Sequence, residues 1–209
     1  MSKQIYLDNA ATTQMSDEVK QAMEPYLQES YGNASTAYGI GEDARREIEK
    51  SRTVIAETLH VKPSEIYFTS GGSESDNWAV KNIAAAYKKK GKHIITTKIE
   101  HHAILNSCEY LQKLGYDVTY LDVDENGLVS VEELTEAIRP DTTLISVMFA
   151  NNEIGTIEPI YKIGKIAKEK QIIFHTDAVQ AYAQIPLSLN YYPVDLLSAS
   201  AHKFHGPKG

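Results

Sequence analysis

The feature of this sequence that most restricts its fold is a repeated alternation of short β-branched or aromatic runs with longer amphipathic runs. The short runs with the composition of strands are 66–69, 93–97, 117–121, 144–149, 172–176 and 195–198. The segments with helical spacing lie near 16–29, 37–59, 74–90, 102–114, 130–138, 160–170 and 178–183. This order predicts an α/β fold with a mostly parallel central sheet flanked by helices.

Uncommon combinations of residues occur where the predicted strands end. The segments are TSGGSES, TTKIEHH, FANNEIG, HTDAVQ and SASAHK. Ligands of an open parallel sheet bind at the carboxyl ends of its strands. We therefore expect these segments to line one site.

Composition narrows the class of protein. The 209 residues are 42% hydrophobic, which suffices for a sizeable core, and the formal net charge is -7. An acidic chain does not favour nucleic acid or an anionic membrane as a partner, because both require clustered Lys and Arg. The single cysteine, Cys108, allows no internal disulfide, and the sequence contains neither an apolar leader nor a run of membrane length. These features predict a cytoplasmic protein.

Two glycines stand between a predicted strand and a predicted helix in TSGGSESDNWAVKN, residues 69–82. Glycine lets the backbone approach a ligand closely, and the N–H groups at a helix start suit a phosphate. The alternative is an ordinary capped helix start, with Ser73 as N-cap and Asp76 as the acid of a capping box. The segment matches neither the P-loop pattern nor the three-glycine dinucleotide pattern.

An aspartate and a lysine complete the pattern. Asp177 follows an apolar run and could pair with a heterocyclic N–H or cap the next helix. Lys203 lies among small residues and imidazoles, where a lowered pKa would let it condense with an aldehyde, although a lone lysine is more often a solvated surface charge. A phosphate site, a carboxylate and a lysine are the three groups that hold pyridoxal 5'-phosphate.

The chain resembles the cysteine desulfurases of the class V aminotransferase family, which have the fold-type I architecture of pyridoxal-phosphate enzymes. The motifs that carry the resemblance are YLDNAATT at 6–13, YFTSGGSESDN at 67–77, EHHAIL at 100–105, NNEIGTIEPI at 151–160, HTDAVQ at 175–180 and SASAHKFHGPKG at 198–209. The resemblance implies a truncated fold-type I chain. Residues 1–15 would belong to a small domain, and residues 16–209 would form an incomplete cofactor-binding large domain.

The resemblance also implies roles for individual residues. Lys203 would form the Schiff base with the cofactor and move the substrate α-proton, Asp177 would pair with the pyridinium nitrogen, and His101 would stack on the ring and take part in proton transfer. The remaining contacts would come from Gly72, Ser73, Ser200 and His202 at the phosphate and from Asn152 and Gln180 near the ring or substrate.

The implied reaction converts L-cysteine to L-alanine and leaves sulfur as an enzyme-bound persulfide for iron-sulfur cluster assembly or a related acceptor. A homodimer and a sulfur-acceptor protein are the implied partners. Cys108 lies at a helical position and is predicted to be a buried apolar residue, not the acceptor. The fragment alone is expected to be inactive. The alternatives are an inactive truncated half-domain or assembly partner, a related selenocysteine lyase, and a class V aminotransferase.

Two metal-binding interpretations compete with this one. DVDENGLVSVEE, residues 122–133, fits EF-hand spacing, but the preceding residues have a strand pattern, so a strand, a turn at Asn126-Gly127 and a helix start are the better prediction. The histidine groupings at 101–102 and 202–205 are not accompanied by carboxylates or cysteines at matching spacing. No metal site is predicted.

Overall fold

The computed structural model describes residues 5–208 and has a parallel five-stranded sheet at its centre. The strands are β1 (His93–Thr97), β2 (Asp117–Leu121), β3 (Thr142–Ser146), β4 (Ile173–Asp177) and β5 (Leu196–Ser198). Their order across the sheet is β2-β1-β3-β4-β5, and every neighbouring pair is parallel. The predicted α/β class with a mostly parallel sheet is confirmed.

Helices cover both faces of this sheet. They are α1 (Asp17–Gln28), α2 (Gly39–Leu59), α3 (Gly72–Tyr87), α4 (His102–Lys113), α5 (Val131–Ala137) and α6 (Ile160–Glu169). Ile94 and Leu144 pack in one apolar cluster with α3 and α4, whereas their neighbours Ile95 and Ile145 pack in another with α5 and α6. Successive side chains of a strand point to opposite faces, so the two clusters lie on opposite sides of the sheet.

Local capping fixes where several helices begin. The Ser16 hydroxyl accepts the backbone N–H of Val19 at 3.2 Å and starts α1, and the Ser130 hydroxyl accepts that of Glu133 at 3.1 Å and starts α5. Such side-chain acceptors satisfy N–H groups that have no partner within the helix. The strand, turn and helix start predicted across 117–133 are observed.

The prediction of a strand at 66–69 is wrong. The segment has no ladder partner among residues 5–208. The N–H of Ile66 bonds to the carbonyl of Pro63 in a short 3-10 turn, and the guanidinium of Arg52 donates to the Ile66 carbonyl. β-branched and aromatic composition favours extended backbone, but a strand also requires a neighbouring chain.

The predicted helix at 178–183 is also wrong, because this segment forms consecutive turns. Ala183 has a φ of 65°, which ends any helical geometry there. The other predicted helices and strands are observed with bounds that differ by a few residues, as is usual for sequence-based boundaries.

The α1 helix differs from the central elements because none of its residues is buried. The preceding segment contacts the end of the chain, with the N–H of Thr13 donating to the His202 carbonyl at 2.8 Å. The division at residue 15 into a small-domain segment and a large domain stays a prediction, and its residues 1–4 and 209 lie outside the described part. None of the helices within residues 5–208 has the length and apolar character needed to cross a membrane.

Candidate active site

A cavity of about 810 Å³ opens at the carboxyl ends of the sheet strands, beside the start of α3. The side chains predicted from sequence come from distant parts of the chain, and all of them line this cavity. They are Gly72, Ser73, His101, Asn152, Asp177, Gln180, Ser200, His202 and Lys203. The structure therefore brings the whole predicted set together in one place.

The start of α3 offers backbone N–H groups to the cavity. Its N-cap is Gly71, which has a φ of 149° and supplies no side-chain acceptor. A Cβ atom at Gly72 would lie 2.8 Å from Cγ2 of Val179, so glycine lets the helix start approach that loop. The interpretation of Ser73 as N-cap is wrong, because the helix begins before it and Asp76 is buried.

Lys203 lies on a 3-10 turn and points its ammonium group toward the N-terminal segment. Nζ donates to the carbonyl of Ala11 at 3.0 Å and also to that of Ala10. Burial lowers the pKa of Lys203, and the carboxylates of Asp177 and Asp8 act in the opposite direction. A lysine with a lowered pKa is a better nucleophile toward a carbonyl carbon.

Asp177 ends β4 and is only 4% exposed. Its Oδ1 accepts the N–H of Val179 at 2.9 Å, so it both caps the following turn and reaches the cavity. Burial raises the pKa of Asp177 above its ordinary value, while that N–H and the Lys203 ammonium act in the opposite direction. The site therefore holds a carboxylate that needs a cationic or N–H partner.

The other ring-side residues are held by backbone or neighbouring side chains. Nδ1 of His101 accepts the N–H of Ala103 at 3.1 Å and caps α4, which places the proton of a neutral ring on Nε2. Nδ2 of Asn152 donates to the adjacent Glu153 carboxylate at 2.8 Å. Nε2 of Gln180 donates to the Ala10 carbonyl at 2.8 Å.

The N-terminal segment forms a wall that sequence reasoning assigned no role. The Thr12 hydroxyl lies 3.0 Å from Nδ1 of His202 and fixes that ring beside the buried Ser200. Burial, followed by the positive charge of Lys203, lowers the pKa of His202. The motif YLDNAATT supported the resemblance to the family. Its small residues next to two threonines were the only sign in the sequence that the backbone of this segment comes close to the site.

Asp76 and Glu100 are further functional candidates that sequence reasoning missed. Both carboxyl groups are buried, and Asp76 lines the cavity next to Asp177. Asp76 is four positions after Gly72, which places it one turn into α3, and its side chain is buried. In sequence, this polar segment is typical of an exposed helix start.

The part of the chain described here contains no cluster of three or more His, Cys, Asp or Glu side chains suited to a metal ion. In the loop that fits EF-hand spacing, the Asp124 carboxylate accepts the N–H groups of Asn126 and Leu128, each at 2.8 Å. That carboxylate is thus used to shape its own loop.

The arrangement fits pyridoxal 5'-phosphate. The start of α3 without a side-chain cap matches a phosphate, the buried carboxylate of Asp177 matches a ring N–H, and Lys203 with its lowered pKa matches an aldehyde. The fold and the site together define a fold-type I pyridoxal-phosphate enzyme domain.

The family model described as aminotransferase class-V matches residues 5–209, and the chain belongs to this family. Members of the family depend on pyridoxal phosphate. The chain is 56% identical over 208 residues to cysteine desulfurase IscS of Methanosarcina thermophila and 54% identical over 209 residues to cysteine desulfurase IscS of Clostridium botulinum. Both comparisons cover 100% of this chain but 52% and 53% of the relative, so the chain spans about half the length of these relatives.

Solved structures show the same relationship. A structure described as a NifS-like protein superposes with a TM-score of 0.96 at 46% identity and covers 99% of this chain and 57% of its own. One described as SspA in complex with cysteine has a TM-score of 0.96 at 43% identity and covers 99% and 59%. The predicted fold-type I architecture is confirmed.

Proposed function

We propose that this chain is the cofactor-binding part of a pyridoxal-phosphate-dependent cysteine desulfurase, which converts L-cysteine to L-alanine and retains the sulfur as a persulfide. The observation that carries the proposal is the convergence of Lys203, Asp177 and the start of α3 on one cavity. When bound, the cofactor supplies an electron sink for the charge left on the substrate α-carbon. The rest of the chemistry comes from the chain.

Each role follows from the surroundings of the residue. Gly72, Ser73, Ser200 and His202 hold the phosphate, since a helix start and hydroxyl or imidazole donors stabilise an anion. Asp177 accepts the ring N–H in a buried setting where an ion pair is strong. Lys203 would hold the aldehyde carbon through Nζ, and the same Nζ, once the substrate amine has replaced it at that carbon, would be free to carry the α-proton.

His101 is the second proton carrier in this proposal. Its Nε2 bears the proton of the neutral ring, because Nδ1 already accepts the Ala103 N–H. An imidazole has two ring nitrogens that can donate or accept a proton, which suits transfer in both directions. Gln180 and Asn152 orient the ring oxygen and the substrate, and Gln180 Nε2 has a second N–H for this besides the one that bonds to the Ala10 carbonyl.

L-Cysteine is the proposed substrate because the relatives at 54–56% identity are named cysteine desulfurases and one structural neighbour is described with cysteine bound. Cys108 is not the proposed sulfur acceptor. It is fully buried, and burial raises the pKa of its thiol to about 12, so the nucleophilic thiolate is scarce. The acceptor cysteine lies on another segment or polypeptide. The sulfur that it carries is passed to an iron-sulfur scaffold or a related acceptor.

A homodimer in the cytoplasm is proposed for the complete enzyme. Large apolar side chains are exposed before and at the start of α2, with Tyr31, Tyr38 and Ile40 at 76%, 62% and 51% exposure. Apolar groups clustered at a surface favour a protein partner. Sedimentation velocity of this chain across a concentration series tests association, and a monomer at every concentration would contradict a dimer surface within these residues.

Reconstitution tests the proposed function. The chain is incubated with pyridoxal phosphate and its visible spectrum is recorded before and after L-cysteine, with L-serine and Lys203→Ala as controls. We expect a cofactor band that requires Lys203 and that changes with L-cysteine. An identical cofactor band in Lys203→Ala, or a band that L-cysteine leaves unchanged, would contradict the proposal. Transamination products in place of L-alanine from the complete enzyme would favour an aminotransferase.

A further inference from the structure

A second buried carboxyl group lies beside Asp177 at the inner end of the cavity. Asp76 is 1% exposed, and its Oδ1 has no hydrogen-bond donor within residues 5–208. The roles given above make no use of this side chain. An ionised carboxylate buried without a partner is costly, so its presence at a binding cavity requires a physical explanation.

The closest basic group to Asp76 does not supply a counter-charge. Nε2 of His175 is 3.8 Å from Oδ1 of Asp76. The ring of His175 is fully buried, with Nδ1 at 2.9 Å from the Ser146 hydroxyl and Nε2 at 3.0 Å from the Ser198 hydroxyl. Burial lowers the pKa of His175 to about 3, so the ring is neutral and an ionised Asp76 would stand beside no cation.

Asp177 is far better supported as an anion than Asp76. It accepts the N–H of Val179 at 2.9 Å and interacts with the positive charge of Lys203. Two carboxyl groups that share a buried site do not both ionise near neutral pH, because their repulsion is strong in a low dielectric. The proton then resides on the member that has no cation beside it, which is Asp76.

We propose that Asp76 is a positioning residue that keeps the proton of this carboxyl pair and thereby leaves Asp177 ionised for the cofactor ring. The purpose of this arrangement rests on the proposed function, whereas the location of the proton does not. Asp76→Asn has nearly the same shape and is permanently neutral, so it reproduces the proposed state.

Other ionisable groups around Asp76 are consistent with this assignment. Burial, followed by the charge of Asp177, raises the pKa of Asp76 to about 8, and the Ser198 hydroxyl acts in the opposite direction. Glu100 is buried, its Oε1 accepts the Met148 N–H at 2.9 Å, and burial raises its pKa well above the ordinary value. The ionisable groups facing this pair from the surrounding elements are His175 on β4, Glu100 and His101 before α4, and Lys203 on the 3-10 turn.

Carbon-13 NMR of the chain, labelled at the aspartate side-chain carboxyl carbon and free of cofactor, locates the proton directly. We expect one resonance to titrate near pH 8, to vanish in Asp76→Asn, and to shift to lower pH in Asp177→Asn because the like charge is removed. Asp122→Asn, at an exposed loop position, is the matched control and moves neither titration. An Asp76 titration near its ordinary value of 3.8 would overturn the inference.

Thermal unfolding against pH supplies a second readout. A raised folded-state pKa means that the folded chain binds an extra proton between about pH 4 and about pH 8. As pH rises through this window, the free energy of unfolding of the unsubstituted chain should therefore fall relative to that of Asp76→Asn. Above the window, the difference between the two free energies should stay constant. A difference independent of pH would contradict the assignment.

Cofactor binding separates this inference from the proposed function. Asp76→Asn should bind pyridoxal phosphate as the unsubstituted chain does, whereas Asp177→Asn should bind it far more weakly. A loss in Asp76→Asn equal to that in Asp177→Asn would overturn the positioning role. Failure of the unsubstituted chain to bind pyridoxal phosphate would contradict the proposed function, while the NMR titration would still decide where the proton lies.

Discussion

The inner and outer ends of the cavity are stabilised in different ways. At the inner end, Asp177 and Asp76 are almost completely buried among strands and the start of α3. At the outer end, Lys203, Gln180 and His202 are only partly buried and are held by the N-terminal segment, through backbone carbonyls and the hydroxyl of Thr12.

This difference separates fixed parts of the site from adjustable ones. The inner groups cannot move without disturbing a closely packed core, so their ionisation states are set in advance. The outer groups bond to carbonyls that a ligand can replace, and such exposed hydrogen bonds contribute little net free energy. Substitutions at the inner end should therefore have larger effects than substitutions at the outer end.

The largest effect is expected for Asp177→Asn. Removing one partner of a buried charge pair costs roughly 3–5 kcal/mol. The dissociation constant of pyridoxal phosphate should rise by about two to four orders of magnitude on that basis. Equilibrium dialysis measures it, with Asp122→Asn as the exposed control, and a change below about threefold, or less than 1 kcal/mol, would contradict the inner-end account.

Gly72→Ala should have the next largest effect. The added methyl group would lie 2.8 Å from Cγ2 of Val179, and forcing an extra methyl group into a packed site costs about 1–3 kcal/mol. Both the free energy of unfolding in urea and the affinity for phosphate should fall. Gly39→Ala is the matched control, since its Cβ would meet nothing within 4 Å, and an equal loss in both variants would show that contact with Val179 is not the cause.

A smaller effect is expected for Thr12→Val at the outer end. The variant keeps the shape but removes the hydroxyl that lies 3.0 Å from Nδ1 of His202. The loss of one such hydrogen bond is worth about 1 kcal/mol, so cofactor affinity should fall by about fivefold. Thr53→Val, whose hydroxyl bonds to the Glu49 carbonyl within α2, should leave affinity unchanged. An effect as large as that of Asp177→Asn would remove the distinction between the two ends.

Modification of the Cys108 thiol is expected to have the smallest effect on the site, because Cys108 does not line the cavity. Cys108 is buried, and its pKa is raised to about 12, so iodoacetamide at pH 8 should label the folded chain far more slowly than the chain in urea. Mass spectrometry over a time course measures the two rates. Equal rates would show that the core near α4 opens readily and would make Cys108 a candidate sulfur acceptor.

Sequence reasoning worked where a strand end delivers a side chain to the cavity. Asp177 ends β4 and Lys203 follows β5, so the carboxyl-end rule for parallel sheets brings them together without knowledge of the loops. The glycines before α3 were recognisable because their conformational freedom has a specific use there. The class of fold followed from the alternation of strands and helices.

Sequence reasoning failed where the outcome depended on tertiary neighbours. Residues 66–69 have strand composition, but pairing is decided by what lies beside them. Residues 178–183 were expected to be helical, and the positive φ of Ala183 is not visible in the sequence. Asp76 was missed because a carboxylate in a polar helix start is usually solvated, and only the structure shows that the sheet covers it.

The most direct test of the account is to identify which lysine reacts with pyridoxal phosphate. The chain is loaded with pyridoxal phosphate, reduced with borohydride, digested and analysed by mass spectrometry. The account predicts one dominant adduct at Lys203 and none at Lys208, which also lines the cavity. An adduct at Lys208, or adducts spread evenly over surface lysines, would contradict the assignment of Lys203 as the residue that holds the cofactor.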